Sequence, residues 1–247
     1  MHLNRWLVYG IAALALFGLY RIFWSVPAIH NFQDAKYVME NYVVHDQRRT
    51  VYCDAEFDAD KRVSANYTPA AHVSRATRME WEHAVPVSDF GATFPEWHKK
   101  NKLCRKHGKY IGGRKCAEQN PEFVRIETDL YNLFPAIGSV NATRANRKYA
   151  ALPTAAPAAN ICGARLARGQ FEPPDRAKGQ VARASLYMAS RYPGRVRFTE
   201  GQLRLFRAWS NAFPVTDAEC QRTKRIERIQ KNENLSVKRP CQAAGLW

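Results

Sequence analysis

Six cysteines, at positions 53, 104, 116, 162, 220 and 241, all lie beyond an N-terminal apolar run, and their pairing limits the folds open to this chain more than any other feature. The run, residues 6–20, carries no formal charge and sits between Arg5 and Arg21. It falls short of the roughly 20 apolar residues of a spanning helix but suits the core of a secretory signal. Val26-Pro27-Ala28 offers small residues for cleavage, while Ile22, Phe23 and Trp24 prolong the apolar stretch. Residues 1–28 therefore read as a signal peptide or, uncleaved, as an N-terminal membrane anchor, with residues 29–247 exported. In an oxidising compartment an even set of cysteines reads as three disulfides, with fifteen connectivities open. The competing use is zinc, with Cys104, His107 and Cys116 as ligands, but no C-x-x-C pair is present to complete a finger-like site.

Charge narrows the partners. With 38 Lys+Arg against 22 Asp+Glu, the 247-residue chain carries a formal charge of +16. Such a body repels cationic ligands and collects polyanions: nucleic acid, acidic glycan or anionic lipid. At 46% hydrophobic it has ample apolar material for a core, and no long or low-complexity linker divides it, which implies one domain.

Residues 33–44 have helical spacing, with Ala35, Val38, Met39 and Tyr42 on one side. The stretches 47–55 and 78–86 read as short strands, 94–116 as a basic excursion and 149–163 as an Ala/Pro-rich loop. In 121–133, Phe123, Ile126, Leu130 and Leu133 mark one helix face between Pro121 and Pro135. Further helices are expected over 178–192, 200–212 and 217–231, the second opened by a Thr199-x-x-Gln202 capping box. Few strands, gathered in the first half, among many helices make the fold α+β.

Three polar groupings fall between residues 78 and 146: Glu80-Trp81-Glu82-His83, then Asp129-Leu130-Tyr131-Asn132-Leu133, then 138–146, read as a polar loop dense in amides with Asn141, Arg144 and Asn146. A histidine beside a carboxylate and an amide, in a basic exported chain, suggests metal-assisted cleavage of a phosphodiester. Histidine takes a proton from water near neutral pH, and a hard cation such as Mg²⁺ takes oxygen ligands. On an ideal helix Asn132 lies at about 180° where the apolar stripe averages about 320°, so it is expected to face away from the core. Neighbours on a strand face opposite ways, so Glu82 and His83 are expected to flank the phosphate from two sides.

The segments EWEHAVP, GGRKCAE (112–118), DLYNLFPAIGSVNATRAN (129–146), EPPDRAKGQVAR (172–183) and AWSNAFPVTDAECQRTKRIERIQKNEN (208–234) resemble the bacterial endonuclease I family over about residues 33–243. That resemblance implies an exported, non-specific nuclease with a ββα-metal (His-Me finger) core embedded in a mainly helical single domain. It makes His83 the general base, and Glu82 and Asn132 the ligands of one Mg²⁺, a site that Mn²⁺ or Ca²⁺ can also occupy. It implies cleavage of double- and single-stranded DNA, and of RNA, leaving 5′-phosphate and 3′-hydroxyl ends. An arginine steadies the phosphate, with Arg114 expected, Arg105 its competitor, and Arg144 a further candidate. The chain departs from many members in lacking a second cysteine two residues after Cys53 and a partner for it before the EWEH strand.

Between Cys104 and Cys116 lie Arg105, Lys106, Lys109, Arg114 and Lys115, a cationic loop suited to phosphates and blind to bases. The pairings expected are Cys104–Cys116, Cys53–Cys162 and Cys220–Cys241. Glu127 and Asp129 are candidates for orienting the site. The reading is a periplasmic or secreted monomer. Its rivals are a non-catalytic exported nucleic-acid-binding protein, which leaves EWEH and Asn132 unexplained, and a cationic membrane-active protein, for which only 217–231 offers a basic helix.

Overall fold

The computed structural model describes residue 9 and residues 26–64, 71–98, 104–110, 113–153 and 158–247. The apolar run 6–20, residue 9 aside, lies outside these, as do the basic positions 99–103. Among the described residues no helix is long and apolar enough to cross a membrane.

Asn31 caps α1 (Phe32–Val38), its side chain accepting from the backbone N–H of Gln33 and Asp34, and the helix runs on as a π turn over Met39–Val43. The strand expected over 47–55 is instead a turn. Thr50 Oγ1 accepts from the Ala55 N–H at 3.0 Å and Asp54 takes φ 52°, which closes the chain on itself. The hairpin β1 (Glu56–Phe57) and β2 (Val63–Ser64) follows. Next comes β3 (Met79–His83), then α2 (Val87–Gly91). The cationic loop holds a small hairpin, β4 (Arg105–Lys106) and β5 (Lys109–Tyr110), turned by His107 and Gly108 at φ 50° and 76°. After it come α3 (Gly113–Ala117) and α4 (Pro121–Glu127).

α4 is shorter than the apolar spacing predicts. Asp129 accepts from the Tyr131 N–H at 3.0 Å and caps a separate 3₁₀ turn, Leu130–Asn132, so a side chain takes the bond that would have continued the helix. The chain then enters β6 (Leu133–Ile137) and α5 (Gly138–Arg144), a helix where a polar loop was expected. Gly138 permits this close turn, since a Cβ there would stand 2.6 Å from the Arg75 carbonyl and 2.8 Å from Glu80 Oε1.

β3 and β6 pair antiparallel from Met79↔Ile137 to His83↔Leu133. Alternate residues of this ribbon serve two cores. Met79, Trp81 and Leu133 pack with Phe123, Ile126 and Met188; Phe134 and Ala136 pack with Phe171, Val181 and Phe206. The expected loop 149–163 is partly sheet: β7 (Lys148–Tyr149), β8 (Ala158–Ile161), β9 (Ala164–Ala167) and β10 (Gln170–Glu172) stand in the order β7-β10-β9-β8, only β7 and β10 being parallel. The C-terminal third is helical: α6 (Asp175–Arg191), α7 (Glu200–Ala212) with its capping box formed, α8 (Asp217–Gln230) and α9 (Leu235–Ala243). α9 carries Pro240 inside it, which hid it from the sequence reading; the bridge of the adjoining Cys241 to Cys220 ties it to α8.

The disulfides are Cys53–Cys162, Cys104–Cys116 and Cys220–Cys241, the pairs expected. The second of these engages both sulfurs that the zinc alternative would need. The β3–β6 ribbon with α5 behind it is the ββα unit of a His-Me finger fold, set in an α+β domain.

Candidate active site

The candidate site is built around the end of β3, where Glu82 and His83 project to opposite faces of the ribbon. His83 is 7% exposed, and its Nε2 lies 2.9 Å from the carbonyl oxygen of Glu127, the last residue of α4. A carbonyl only accepts, so Nε2 carries the proton and Nδ1 is left with a bare lone pair. The Phe32 ring stacks on the imidazole at 5.0 Å between centroids. Burial drives the His83 pKa down to about 3, the Arg114 and Arg144 charges act in the same sense, and the Glu127 hydrogen bond opposes them. The imidazole is therefore neutral throughout the physiological range.

Arg114 belongs to this face. Its Nε donates to Glu127 Oε1 at 2.6 Å, and its guanidinium lies over the Phe32 ring at 4.8 Å, with Lys36 Nζ 5.0 Å from the same ring. The side chain remains 39% exposed. Glu127 thus works twice, orienting His83 through its backbone and Arg114 through its carboxylate. Burial raises the Glu127 pKa and the Arg114 charge lowers it.

Glu82 is buried on the other face. Its Oε1 accepts from Tyr52 Oη at 2.9 Å and is ion-paired with Arg144 Nη1 at 3.0 Å. Burial raises its pKa, opposed first by the Arg144 charge and then by the Tyr52 and Arg144 hydrogen bonds. Both of these side-chain contacts fall on Oε1.

Asn132 is not on a helix and does not face outward, which corrects the expectation from ideal helix geometry. It ends the 3₁₀ turn with no exposed surface. Its Oδ1 accepts from the Val85 N–H at 2.7 Å, and its Nδ2 donates to the Val85 carbonyl at 3.0 Å. The amide clasps the chain two residues beyond His83, and one Oδ1 lone pair remains unused.

Arg144 is also corrected. Expected on an open loop facing phosphate, it ends α5 with 1% exposure. It donates to the carbonyls of His83 at 2.8 Å and Ala84 at 2.6 Å, and lies over the Tyr149 ring at 4.5 Å. Its charge holds the end of β3 from beneath. Arg105 stands on β4, exposed, with its Nη1 donating to the Gly108 carbonyl of its own hairpin at 3.5 Å. The structure therefore brings His83, Arg114 and Glu127 together on one face and Glu82 with Arg144 on the other, and leaves Arg105 out. Glu80 pairs with Arg75 and Arg78 and accepts from Asn141 Nδ2 of α5 at 3.3 Å. Asp129 is buried beneath the hydroxyls of Tyr187 and Tyr192 at 2.7 and 2.8 Å, a structural anchor.

Phe32, Tyr52 and Tyr149 are the members of the site that sequence reasoning missed. Apolar or aromatic, far away in sequence, they carry no motif; only the position of Tyr52 next to Cys53 gave a signal.

Glu82 and Asn132 are the oxygen-bearing side chains at this end of β3 that could hold a hard divalent cation. Among the described residues there is no cluster of three or more His, Cys, Asp or Glu. A sparse oxygen set suits Mg²⁺, which keeps waters and binds phosphate oxygens, better than it suits Zn²⁺.

The family model for endonuclease I matches residues 28–241. The chain is 34% identical to an extracellular deoxyribonuclease of Aeromonas hydrophila over 88% of this chain and 94% of that one. It is 34% identical to a periplasmic deoxyribonuclease of the same organism over 77% of each. An extracellular ribonuclease of Bacillus subtilis (strain 168) is 27% identical over 64% of this chain and 56% of its own length.

Proposed function

Since the chain belongs to the endonuclease I family, we propose that it is an exported, divalent-metal-dependent nuclease that hydrolyses DNA, and RNA as well, without sequence preference. The observation that carries this reading is the oriented imidazole of His83: Nε2 tied to a backbone carbonyl, Nδ1 bare, and the ring neutral. Nδ1 accepts a proton from the attacking water as its oxygen bonds to phosphorus. The bond to the 3′ oxygen breaks and that oxygen takes a proton from solvent, leaving a 5′-phosphate and a 3′-hydroxyl. Arg114, half exposed with its terminal nitrogens free of the Glu127 bond, supplies positive charge to the scissile phosphate. Its place beside His83 favours it over Arg105, on a separate hairpin, and over Arg144, which is enclosed.

Glu82 and Asn132 would hold one Mg²⁺, or Mn²⁺ or Ca²⁺ in its stead. When bound, the ion supplies Lewis-acid stabilisation of the charge that grows on the phosphorane and the leaving oxygen. Residues 1–28 direct export, as the extracellular and periplasmic names of the Aeromonas relatives support. The ribonuclease relative supports RNA as a second substrate.

Plasmid DNA treated with His83→Ala protein, purified free of host nuclease, is the deciding experiment. The expected result is loss of nicking by about a thousandfold or more, with DNA binding retained. Near-normal nicking sinks the assignment. Binding by the wild-type protein without strand cleavage in Mg²⁺ returns the non-catalytic rival.

A further inference from the structure

Two buried tyrosines place their hydroxyls beside the Glu82 carboxylate. Tyr52 is 1% exposed and Tyr149 5% exposed. Their Oη atoms lie 2.7 Å apart, and Tyr52 Oη lies 2.9 Å from Glu82 Oε1. Each phenol has one proton. A carboxylate accepts only, so the Tyr52 proton goes to Glu82, and Tyr149 must donate to the Tyr52 oxygen. The result is a one-way chain, Tyr149 to Tyr52 to Glu82. Arg144 closes it, stacked over the Tyr149 ring and paired with the same Oε1.

We propose that Tyr52 and Tyr149 are positioning residues that fix the rotation of the Glu82 carboxylate, loading Oε1 with protein donors so that Oε2 is presented to the divalent cation. The inference rests on the reading that Glu82 is a ligand of that cation. A carboxylate with both oxygens equivalent can turn about its last bond, and a ligand that turns binds weakly. Here two donors on one oxygen make the two rotamers unequal. The phenols come from segments 97 residues apart in the chain. Tyr52 lies in the turn tied by Cys53 to Cys162, and Tyr149 in β7, which pairs with β10. Cys162 lies between β8 and β9 of the sheet that also holds β7, so the carboxylate is braced from two points tied to one sheet.

The test is direct binding of Mn²⁺ to the full protein, followed by the electron paramagnetic resonance signal of the free ion, for wild type, Tyr52→Phe, Tyr149→Phe and Glu82→Gln. Tyr52→Phe should weaken Mn²⁺ binding about ten- to a hundredfold, the usual effect of removing a partner that orients a ligand. Tyr149→Phe should weaken it less, because the bond to Glu82 survives. In cleavage assays the Mg²⁺ concentration for half-maximal rate should rise in the same order. The KM for DNA at saturating Mg²⁺ should stay unchanged, which a general loss of structure would not give. Wild-type Mn²⁺ affinity in both tyrosine variants, with Glu82→Gln impaired, overturns the positioning role and leaves the metal reading standing. Wild-type affinity in Glu82→Gln overturns both. If Tyr52→Phe fails to fold, Tyr149→Phe decides between the same outcomes.

Discussion

At the scale of single residues, burial sets the character of His83. A histidine whose folded pKa is depressed is neutral in the folded chain while its unfolded counterpart protonates near 6.5. Between about pH 6.5 and the folded value of about 3 the unfolded state binds the extra proton, so stability is full above 6.5 and is lost as pH falls through that window. The slope is about 1.4 kcal/mol per pH unit for one such group. Urea denaturation from pH 7 to 4 should show a shallower pH dependence for His83→Gln than for wild type, by about one proton. The same depression should place the acid limb of kcat/KM well below 6.5, measured on plasmid at saturating Mg²⁺. Asn132 offers a second residue-scale prediction. Replacing it by Ala leaves the buried N–H and carbonyl of Val85 without the amide, at a cost of about 2–4 kcal/mol, whereas Asp keeps an acceptor for the N–H but sets a carboxylate against the carbonyl. Both variants should lose stability in thermal melts and both should lose nicking.

At the scale of elements, the N-terminal helix is part of the catalytic face. Phe32 lies between the imidazole and two cations, so Phe32→Ala should admit water to His83, move the acid limb of kcat/KM up towards 6.5, and cost about 2 kcal/mol in stability. A pH–rate profile with a melt on the same protein checks both effects. What the sequence made legible follows from local rules. The alternation of EWEH announced a strand, the Thr199-x-x-Gln202 box announced a helix start, and both are present. Asn132 was misplaced because a helical wheel assumes an unbroken helix, and the carboxylate of Asp129 breaks it. The leucines of that segment were still rightly called core, since the 3₁₀ turn and strand bury Leu130 and Leu133 on the same side. The sheet of β7 to β10 was hidden because its strands are two to four residues long and draw their order from partners distant in the chain. Arg144 was expected on a loop for a similar reason: nothing in a polar run reveals that it forms a helix whose end is buried.

At the scale of the whole molecule, the surplus of positive charge acts as a collector of polyanions. Cleavage of long DNA at sub-saturating substrate should fall linearly in a log–log plot against salt, with a slope of about −0.9 for each phosphate neutralised. Cleavage of a short dinucleotide substrate should fall far less. Removing divalent ions with chelator should abolish nicking, and adding back Mg²⁺ should restore it, an outcome read on the same gel.

The bridge from Cys53 to Cys162 joins residues 109 apart, and its consequence is one of timing. His83 and Glu82 leave the ribosome, or cross a membrane, well before Arg144, Tyr149 and Cys162 follow. Until those later residues arrive, the carboxylate has no phenol chain and no arginine beside it, and the turn that carries Tyr52 is untethered. The order of residues along the chain thus places the completion of the cutting centre after the passage of most of the polypeptide. A chain halted before residue 144 carries His83 and Glu82 without the arginine, the second phenol and the bridge that arrange them.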